Sequence, residues 1–554
     1  MNIDQNTKRN IAAALWLDEY NEKEIDANVL TQINSIKNSS SEIGKRMRDY
    51  LAWLSDHPQS HNPNYTKRYK LLHSLIGDLN PQAAYVIAMK LLGQNATQGY
   101  ELMPTQANFK FPQDHAPQLQ SQVGWHFFVG SGWDENGDEY GIELMFFRVS
   151  LLPPSIAKNF GISDIENQVV EIQLGISKAG ERHYQAEPTV IAGTTGLIDV
   201  TANPLEYTIG KNYIKSLKKG SLFPITVRAQ GNDNGEAKAV KLGVDLEFTQ
   251  GREYLFQGDD GCMPCVAGMG TLYYSIPNLV LKPGSTITYN GRKITLRKGS
   301  FWFDHQWGFL GGNSRSAVLR AANNIGKPMQ MGWDWYMAQF IGNRQLTMFA
   351  SHSPTNKNFY FQTGATPPGT MTVDVAGKYM DENKKLHNTW GTLEIDQWVK
   401  SEVSPNPKLY PITNTWHPNH WKFTFDETLP EDIRSFELHQ IVPVAQTNYF
   451  ANGSQYNEGA VYITNAYGED MGRGFAEAVQ YADCTNNMIK LAGFENTKEL
   501  MKLFSQEATL PRKISSFCYI VTHQKELKEI LSTAKGLEFF NKPSKTSVKN
   551  TSRH

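Results

Sequence analysis

The feature that most constrains this chain is a long region, from about Gly124 to Asp483, in which apolar and polar residues alternate with a period of two. Such alternation is typical of β-strands that bury one face, because successive side chains of a strand point to opposite sides. Turn-forming segments interrupt the pattern repeatedly: DENGDEYG, AQGNDNGEA, YNGRK, GNRQ and DENKK. Many short strands separated by such turns predict a mainly β protein, a barrel or a sandwich, rather than a parallel sheet.

Helical patterns flank this β region. Residues 1–118 carry apolar residues at three- and four-residue spacing, which predicts a helical N-terminal domain. Helical spacing returns within residues 489–554, where we expect a C-terminal helical tail with a disordered end.

Charge and hydropathy exclude several classes of function. Lys and Arg total 54 and Asp and Glu total 55, so there is no excess charge to attract nucleic acid or an anionic membrane. The apolar run Ile11–Leu17 is too short for a signal peptide, and no segment reaches the length needed to span a membrane. We therefore expect a soluble, cytoplasmic protein.

Metal and cofactor motifs are weak. Cys262 and Cys265 form a C-x-x-C in a Gly-rich loop, without the second pair of ligands that zinc usually requires. His417 and His420 in WHPNHW have no cysteine or carboxylate nearby in the sequence. There is no Walker A motif, no dinucleotide-binding glycine pattern and no G-x-S-x-G elbow. We expect neither a metal nor a cofactor.

Four segments of the β region resemble a family of lipocalin-like proteins that includes carotenoid 1,2-hydratases and AttH proteins. They are Gly124–Arg148, Leu272–Gly308 with its closing W-x-D-H-x-W signature, Met331–Phe349 with Gly-Trp-Asp-Trp, and the final hairpin Tyr456–Tyr481. The resemblance implies two successive lipocalin-like antiparallel β-barrel halves, which we divide near Leu310 into residues 119–310 and 311–488. Fungal decalin-forming Diels–Alderases share a similar architecture.

The W-x-D-H-x-W signature supplies a candidate acid. If it is extended, its residues divide between two faces, Trp302, Asp304 and Gln306 on one and Phe303, His305 and Trp307 on the other. A carboxyl inside an aromatic cavity is desolvated, which raises its pKa and makes it a proton donor. Protonating a carbon–carbon double bond gives a carbocation, which aromatic faces can stabilise. A purely structural Asp304, capping a turn or accepting backbone hydrogen bonds, is the alternative.

The resemblance also implies that the hydratases act through this Asp with a His and a Trp on the preceding strand. This chain has neither in Tyr273–Leu279, where Tyr273 or Tyr274 can act as a hydrogen-bond donor instead. His305 is the second catalytic candidate, with a core histidine as the alternative. The residues expected to contact a ligand are Trp125, Tyr274, Trp302, Gln306, Trp333 and Trp335.

Two further sets of polar residues follow from strand alternation. Trp333 and Trp335 are expected on one face of their strand, and Asp334 and Tyr336 on the other. Glu458 and Glu477 are expected to be buried polar partners in the final hairpin, with a catalytic role as the alternative.

Three functions remain open. The first is a cofactor-independent enzyme that hydrates, isomerises or cyclises a lipophilic polyene or isoprenoid-like molecule in a barrel cavity, with Asp304 as the acid. The second is a lipocalin-style binder or carrier of a hydrophobic ligand, without turnover. The third is an interaction protein that binds a protein partner through its helical head.

Overall fold

The structure is a computed structural model that describes residue 100 and residues 104–481. Within that range it leaves out residues 105, 151–153, 155–162, 194–195, 236–237, 265–269, 310–331, 353–364, 402–413, 451–454 and 480. The predicted helical domain lies outside the described residues except near its end, and the predicted helical tail lies outside them completely. The predicted division near Leu310 also falls in a range that is not described.

The described chain is mainly β, as the alternation predicts. Its strands form two antiparallel sheets, and two short 3-10 helices are described, Gln113–His115 and Glu431–Ile433. Among the described residues, no helix is both long enough and apolar enough to cross a lipid bilayer.

The first sheet has 15 strands. They are β1 (Val123–Asp134), β2 (Glu139–Ser150), β3 (Gln168–Lys178), β4 (His183–Gln185), β5 (Thr189–Ala192), β6 (Ile198–Ala202), β7 (Leu205–Ile209), β8 (Asn212–Ser216), β9 (Ile225–Asp233), β10 (Val240–Phe248), β11 (Leu255–Phe256), β12 (Cys262–Pro264), β13 (Gly270–Val280), β14 (Thr286–Tyr289) and β15 (Arg292–Phe309). β15 is the longest, with 18 residues, and it pairs with β1 along one edge and with β14 and β13 along the other.

This first sheet corrects the expectation of two barrels. Its strand order runs from β4 to β6, and no pairing among the described residues joins these two ends. β4 has three residues and β6 has five, so each end offers few backbone groups for closing a ring. The first half is therefore a curled half-barrel, whose core includes Phe128, Leu144 and Phe303.

The second sheet has nine strands: β16 (Gly332–Phe340), β17 (Arg344–His352), β18 (Met371–Met380), β19 (Leu386–Lys400), β20 (Trp416–Phe425), β21 (Ser435–Gln440), β22 (Thr447–Tyr449), β23 (Gln455–Thr464) and β24 (Asp470–Val479). An additional pairing of β21 with β23 closes eight of them into a ring, and β22 is attached at the side. The barrel expected in the second half is thus confirmed. Tyr336, Trp421 and Phe423 belong to its core.

The two sheets pack through their outer faces, β1–β3 against β22–β24. The side chain of Gln185 donates to the Tyr449 carbonyl at 2.9 Å and accepts from its backbone N–H at 2.8 Å. Nearby, the Ser177 hydroxyl donates to the side-chain oxygen of Gln446 at 2.7 Å. The outward-facing residues of both sheets are therefore buried against one another.

Candidate functional site

Asp304 lies between the two sheets. On β15, Phe303 and Trp307 belong to the core of the first sheet, so Asp304 takes the opposite face, as alternation predicts. That face looks toward the second barrel and not into the core of its own half, which corrects the expected position inside a barrel cavity. The ring of Tyr273 lies 6.3 Å from that of Phe349 on β17, which marks the contact between the two sheets here.

Three side chains donate hydrogen bonds to the Asp304 carboxylate. Oδ2 accepts from the Tyr273 hydroxyl at 2.6 Å, and Oδ1 accepts from Trp302 Nε1 at 2.6 Å and from the Ser275 hydroxyl. The register places Ser275 directly opposite Asp304, and Tyr273, two residues before it, shares its face. Every donor is thus positioned by β13 or β15.

Burial dominates the acidity of Asp304. Its side chain is buried, and desolvation raises its pKa to about 6, although the hydrogen bonds from Ser275, Tyr273 and Trp302 lower it. A short polar path leads from the carboxyl to the second barrel. Gln257 Nε2 donates to the Ser275 hydroxyl at 2.8 Å, and Thr347 on β17 donates to Gln257 Oε1 at 2.8 Å.

Three glutamates from neighbouring strands face the same inter-sheet region. Glu143 on β2 and Glu458 on β23 are buried, whereas Glu477 on β24 is half-buried. Desolvation is the main cause that raises the pKa of Glu143 to about 8. The charge of Glu477 raises this pKa further, whereas the hydrogen bond from Tyr456 lowers it. Desolvation also raises the pKa of Glu477 to about 8. The hydrogen bond from Trp333 lowers this pKa, and the charges of Asp334 and Asp304 raise it.

Glu458 completes this group. Burial raises its pKa well above the ordinary value, and the charges of Glu477, Glu143 and Asp304 raise it further. Burial and mutual repulsion therefore both favour the protonated forms of these carboxyls, and the pKa of Asp304, at about 6, lies below those of Glu143 and Glu477. We call Asp304, Glu143, Glu458 and Glu477 the carboxyl cluster.

Tryptophans flank the carboxyl cluster. Trp333 Nε1 donates to Glu477 Oε2 at 2.9 Å, and the ring of Trp335 lies 6.3 Å from that of Phe127, which pairs with Asp304 across β1 and β15. Trp125 shares the outward face of β1, where its ring lies 5.0 Å from that of Phe147. Trp125 and Trp333 are partly exposed, so aromatic surface is open to solvent at both.

A family model described as AttH-like matches residues 103–378. The chain belongs to the AttH-like family. Three of the four segments that carry the resemblance lie in the matched region, and the fourth, Tyr456–Tyr481, lies beyond it.

Two solved structures are similar to this AttH-like chain. A putative AttH from Nitrosomonas europaea has 16% identity and a TM-score of 0.49, with 69% of this chain and 100% of that chain covered. Kievitone hydratase from Nectria haematococca has 14% identity and a TM-score of 0.44, with 70% of this chain and 99% of that chain covered. Curated proteins give no significant match.

Two predicted site residues of this AttH-like chain lie away from Asp304. His305 and Tyr274 occupy the opposite face, where the Tyr274 hydroxyl contacts His115 Nδ1 at 2.7 Å. His305 Nδ1 lies 2.7 Å from the Trp125 carbonyl and its Nε2 lies 3.1 Å from that of Ala116. Burial lowers the pKa of His305 to about 4, so the ring is neutral at pH 7. These contacts suit the alternative of a core histidine.

Gln306 and Asp334 have other partners. Gln306 shares the face of Asp304, but its amide donates to the Thr271 hydroxyl at 2.7 Å. Asp334 lies inside the second barrel, where the hydroxyls of Tyr336 and Tyr481 donate to its Oδ2 at 3.2 and 2.8 Å. The predicted separation of Trp333 and Trp335 from Asp334 and Tyr336 is confirmed.

Sequence reasoning missed Glu143, Ser275 and Tyr456. Glu143 is the single charged residue of the run GIELMFF, and an isolated carboxyl among apolar strand residues is a recognisable signal. The Tyr456 hydroxyl donates to Glu143 Oε1 at 2.9 Å. Nothing local in the sequence indicated that Ser275 would lie opposite Asp304, because that contact depends on the register of β13 and β15.

Proposed function

We propose that this AttH-like protein is a hydratase-type enzyme in which Asp304 protonates a carbon–carbon double bond of a lipophilic, polyene or isoprenoid-like molecule. Hydration, acid-catalysed isomerisation and cation-initiated cyclisation all begin with that step, and none of them requires a redox cofactor. The observation that carries the proposal is a buried carboxyl whose pKa is raised to about 6 among glutamates that hold their protons more tightly.

The surroundings of Asp304 suit an acid that must both keep and release a proton. Burial keeps the carboxyl protonated at a pH where an exposed aspartate is ionised. Once the proton has left, Tyr273, Ser275 and Trp302 stabilise the carboxylate through their hydrogen bonds. The three donors thus lower the energy of the charged state that forms during the reaction.

The proton balance closes on Asp304 itself. Its carboxylic acid gives a proton to one alkene carbon, and the neighbouring carbon becomes a cation. In hydration, water adds to that cation and returns a proton to the Asp304 carboxylate. In isomerisation, a carbon next to the cation returns the proton and a new double bond forms. Half-buried Glu477 provides exchange of protons with solvent.

Aromatic side chains suit an apolar substrate and its cation. Trp302 contacts Asp304 directly, and Trp333 contacts Glu477. Their ring faces attract positive charge, and with Trp335 and Phe127 they supply apolar surface in the same inter-sheet region. The partly exposed rings of Trp125 and Trp333 provide the approach from solvent.

A ligand carrier without turnover is the second candidate. One observation favours it: three donors already contact the Asp304 carboxyl, as they would in a purely structural site. The donors are side-chain groups, however, and desolvation outweighs them in setting the pKa.

Deuterium uptake separates the two candidates. The full-length protein, Asp304→Asn and Asp233→Asn are incubated in D2O with geraniol, farnesol or lycopene in detergent micelles, and products are analysed by mass spectrometry. Asp233 is the matched control, a buried aspartate that accepts hydrogen bonds from the backbone of Gln185 and Gly235.

We expect the wild type and Asp233→Asn to place deuterium on carbon, and Asp304→Asn to be slower by a factor of about 10² or more. Retention of a ligand by the wild type without carbon-bound deuterium would overturn the enzyme and leave a carrier, or a cyclase that acts only by folding its substrate. Equal uptake by Asp304→Asn would remove the acid role from Asp304.

A further inference from the structure

A cluster of histidines and carboxylates lies on the outer face of the second barrel. His420 on β20 pairs directly with His439 on β21, and Glu437 stands two residues before His439 on the same face. The intervening residues of these strands, Trp421, Phe436 and Leu438, point into the barrel core. Strand pairing therefore brings two imidazoles and one carboxylate together on a single surface.

The atoms of this cluster converge. His420 Nε2 lies 3.1 Å and His439 Nε2 lies 3.6 Å from Glu437 Oε2, and the two imidazole centroids are 4.5 Å apart. One ligand atom from each of the three residues lies within 4.8 Å of the other two. A single cation among them would reach all three with small movements of the side chains.

Asp396 holds His420 in the orientation that such a cation requires. Its Oδ1 lies 2.5 Å from His420 Nδ1. Asp396 is the extra residue at a β-bulge, because β19 and β20 shift register between Ile395 and Gln397. Bulges re-aim side chains, and this one turns a carboxylate toward the far side of the imidazole.

This contact leaves both ring nitrogens of His420 facing carboxylate oxygens, Nδ1 that of Asp396 and Nε2 that of Glu437 at 3.1 Å. A metal ion bound at Nε2 would bridge the imidazole to Glu437, with Asp396 accepting from Nδ1–H on the far side of the ring. Asp396, Glu394 and Glu437 outnumber the one neighbouring lysine, Lys422, so the local charge also favours a cation.

We propose that His420, Glu437 and His439 bind one divalent transition-metal ion such as Zn²⁺, and that Asp396 is a positioning residue for His420. Two imidazoles select such ions over Ca²⁺ and Mg²⁺, which prefer oxygen ligands. The side chains of His439 and Glu437 are 25% and 28% exposed, so solvent can complete the coordination.

The proposed site lies on strands other than those that carry Asp304. Its metal would link β20 to β21, and the contact of His439 Nε2 with the Thr464 hydroxyl at 2.8 Å extends the cluster to β23, the strand that closes the barrel. His417, the other histidine of WHPNHW, lies inside the barrel, 3.1 Å from Gln455 Nε2. The sequence indicated no metal because the carboxylates come from β19 and β21.

Metal titration of the untagged full-length protein tests the site after treatment with EDTA. Zn²⁺ binding is measured by calorimetry and Co²⁺ binding by visible absorption, for the wild type, His439→Gln, Glu437→Gln, Asp396→Asn and His387→Gln. His439 is replaced rather than the buried His420, because the partly exposed side chain is less needed for folding. His387 is the matched control: its Nε2 lies 3.0 Å from an Asp381 oxygen, and among the described residues it belongs to no group of three possible metal ligands.

We expect one saturable site in the wild type and in His387→Gln. His439→Gln and Glu437→Gln should lower the affinity at least tenfold, and Asp396→Asn by about 10- to 100-fold. Zn²⁺ should raise the Tm of the wild type but not that of His439→Gln, whose folding without metal is checked by circular dichroism. Equal Zn²⁺ affinity in His439→Gln and the wild type, or no saturable binding, would overturn the proposal.

Discussion

The Tyr273 hydroxyl donates a 2.6 Å hydrogen bond to Asp304 Oδ2, while its neighbour Tyr274 points to the other side of the same strand and contacts His115. One strand therefore presents one tyrosine to the carboxyl cluster and the next to the core of the first sheet. This pair offers a matched experiment, because the two hydroxyls differ by one position in sequence and by the whole thickness of the sheet in space.

Replacing Tyr273 with Phe should shift the acidity of Asp304. The lost hydrogen bond stabilises the carboxylate, so its removal should raise the pKa of Asp304, by about 0.5 to 1 unit. The rate of deuterium transfer should then decline at a correspondingly higher pH. Tyr274→Phe should leave that decline where it is, and an equal shift in both variants would contradict the role of Tyr273.

The pH dependence of the wild type follows from Asp304. As a general acid with a pKa of about 6, it should lose activity as the pH rises through that value. Because folding raises the pKa of Asp304 from 3.8, the contribution of Asp304 to the stability of the folded protein is complete below pH 3.8. That contribution is lost as the pH rises through about 6.

The stability of the wild type relative to Asp304→Asn should therefore fall by about 3 kcal/mol between pH 4 and pH 7. Urea unfolding at four pH values measures this difference. A constant difference would show that Asp304 keeps an ordinary pKa.

Replacing Glu477 with Gln should flatten the alkaline side of the stability profile. The pKa of Glu477 is raised to about 8. The contribution of Glu477 to the free energy of unfolding is therefore complete below pH 4.5 and is lost as the pH rises through about 8. The expected loss is about 2 kcal/mol, less than the full shift implies because the side chain keeps contact with solvent. Exposed Glu427→Gln is the control, and the free energy of unfolding at pH 5 to 9 is the measurement.

His305→Gln should change acid stability and leave the activity profile intact. Folding lowers the pKa of His305 to about 4, so its contribution is present above 6.5 and is lost as the pH falls toward 4. As the pH falls over that range, the free energy of unfolding of the variant should decrease by about 3 kcal/mol less than that of the wild type. A changed pH profile of deuterium transfer would instead assign His305 a part in the reaction.

Local alternation was enough to predict which face of a strand each signature residue occupies. Trp302 and Asp304 share a face, and Trp333 and Trp335 are separated from Asp334, because the period of two is a property of the extended backbone alone. The AttH-like resemblance is likewise carried by short segments of consecutive residues.

Tertiary structure decided what those faces meet. Closure of the second sheet depends on β21 pairing with β23, whereas no pairing among the described residues joins the two short end strands of the first sheet. Asp304 acts electrostatically on Glu458 and Glu477, from β23 and β24, and His420 contacts carboxylates from β19 and β21. The sequence by itself determined the strands and their two faces, since these depend on neighbouring residues. The pairing and packing of distant strands determined the carboxyl cluster, its raised pKa values and the histidine cluster, because burial and charge act only between groups that folding brings together.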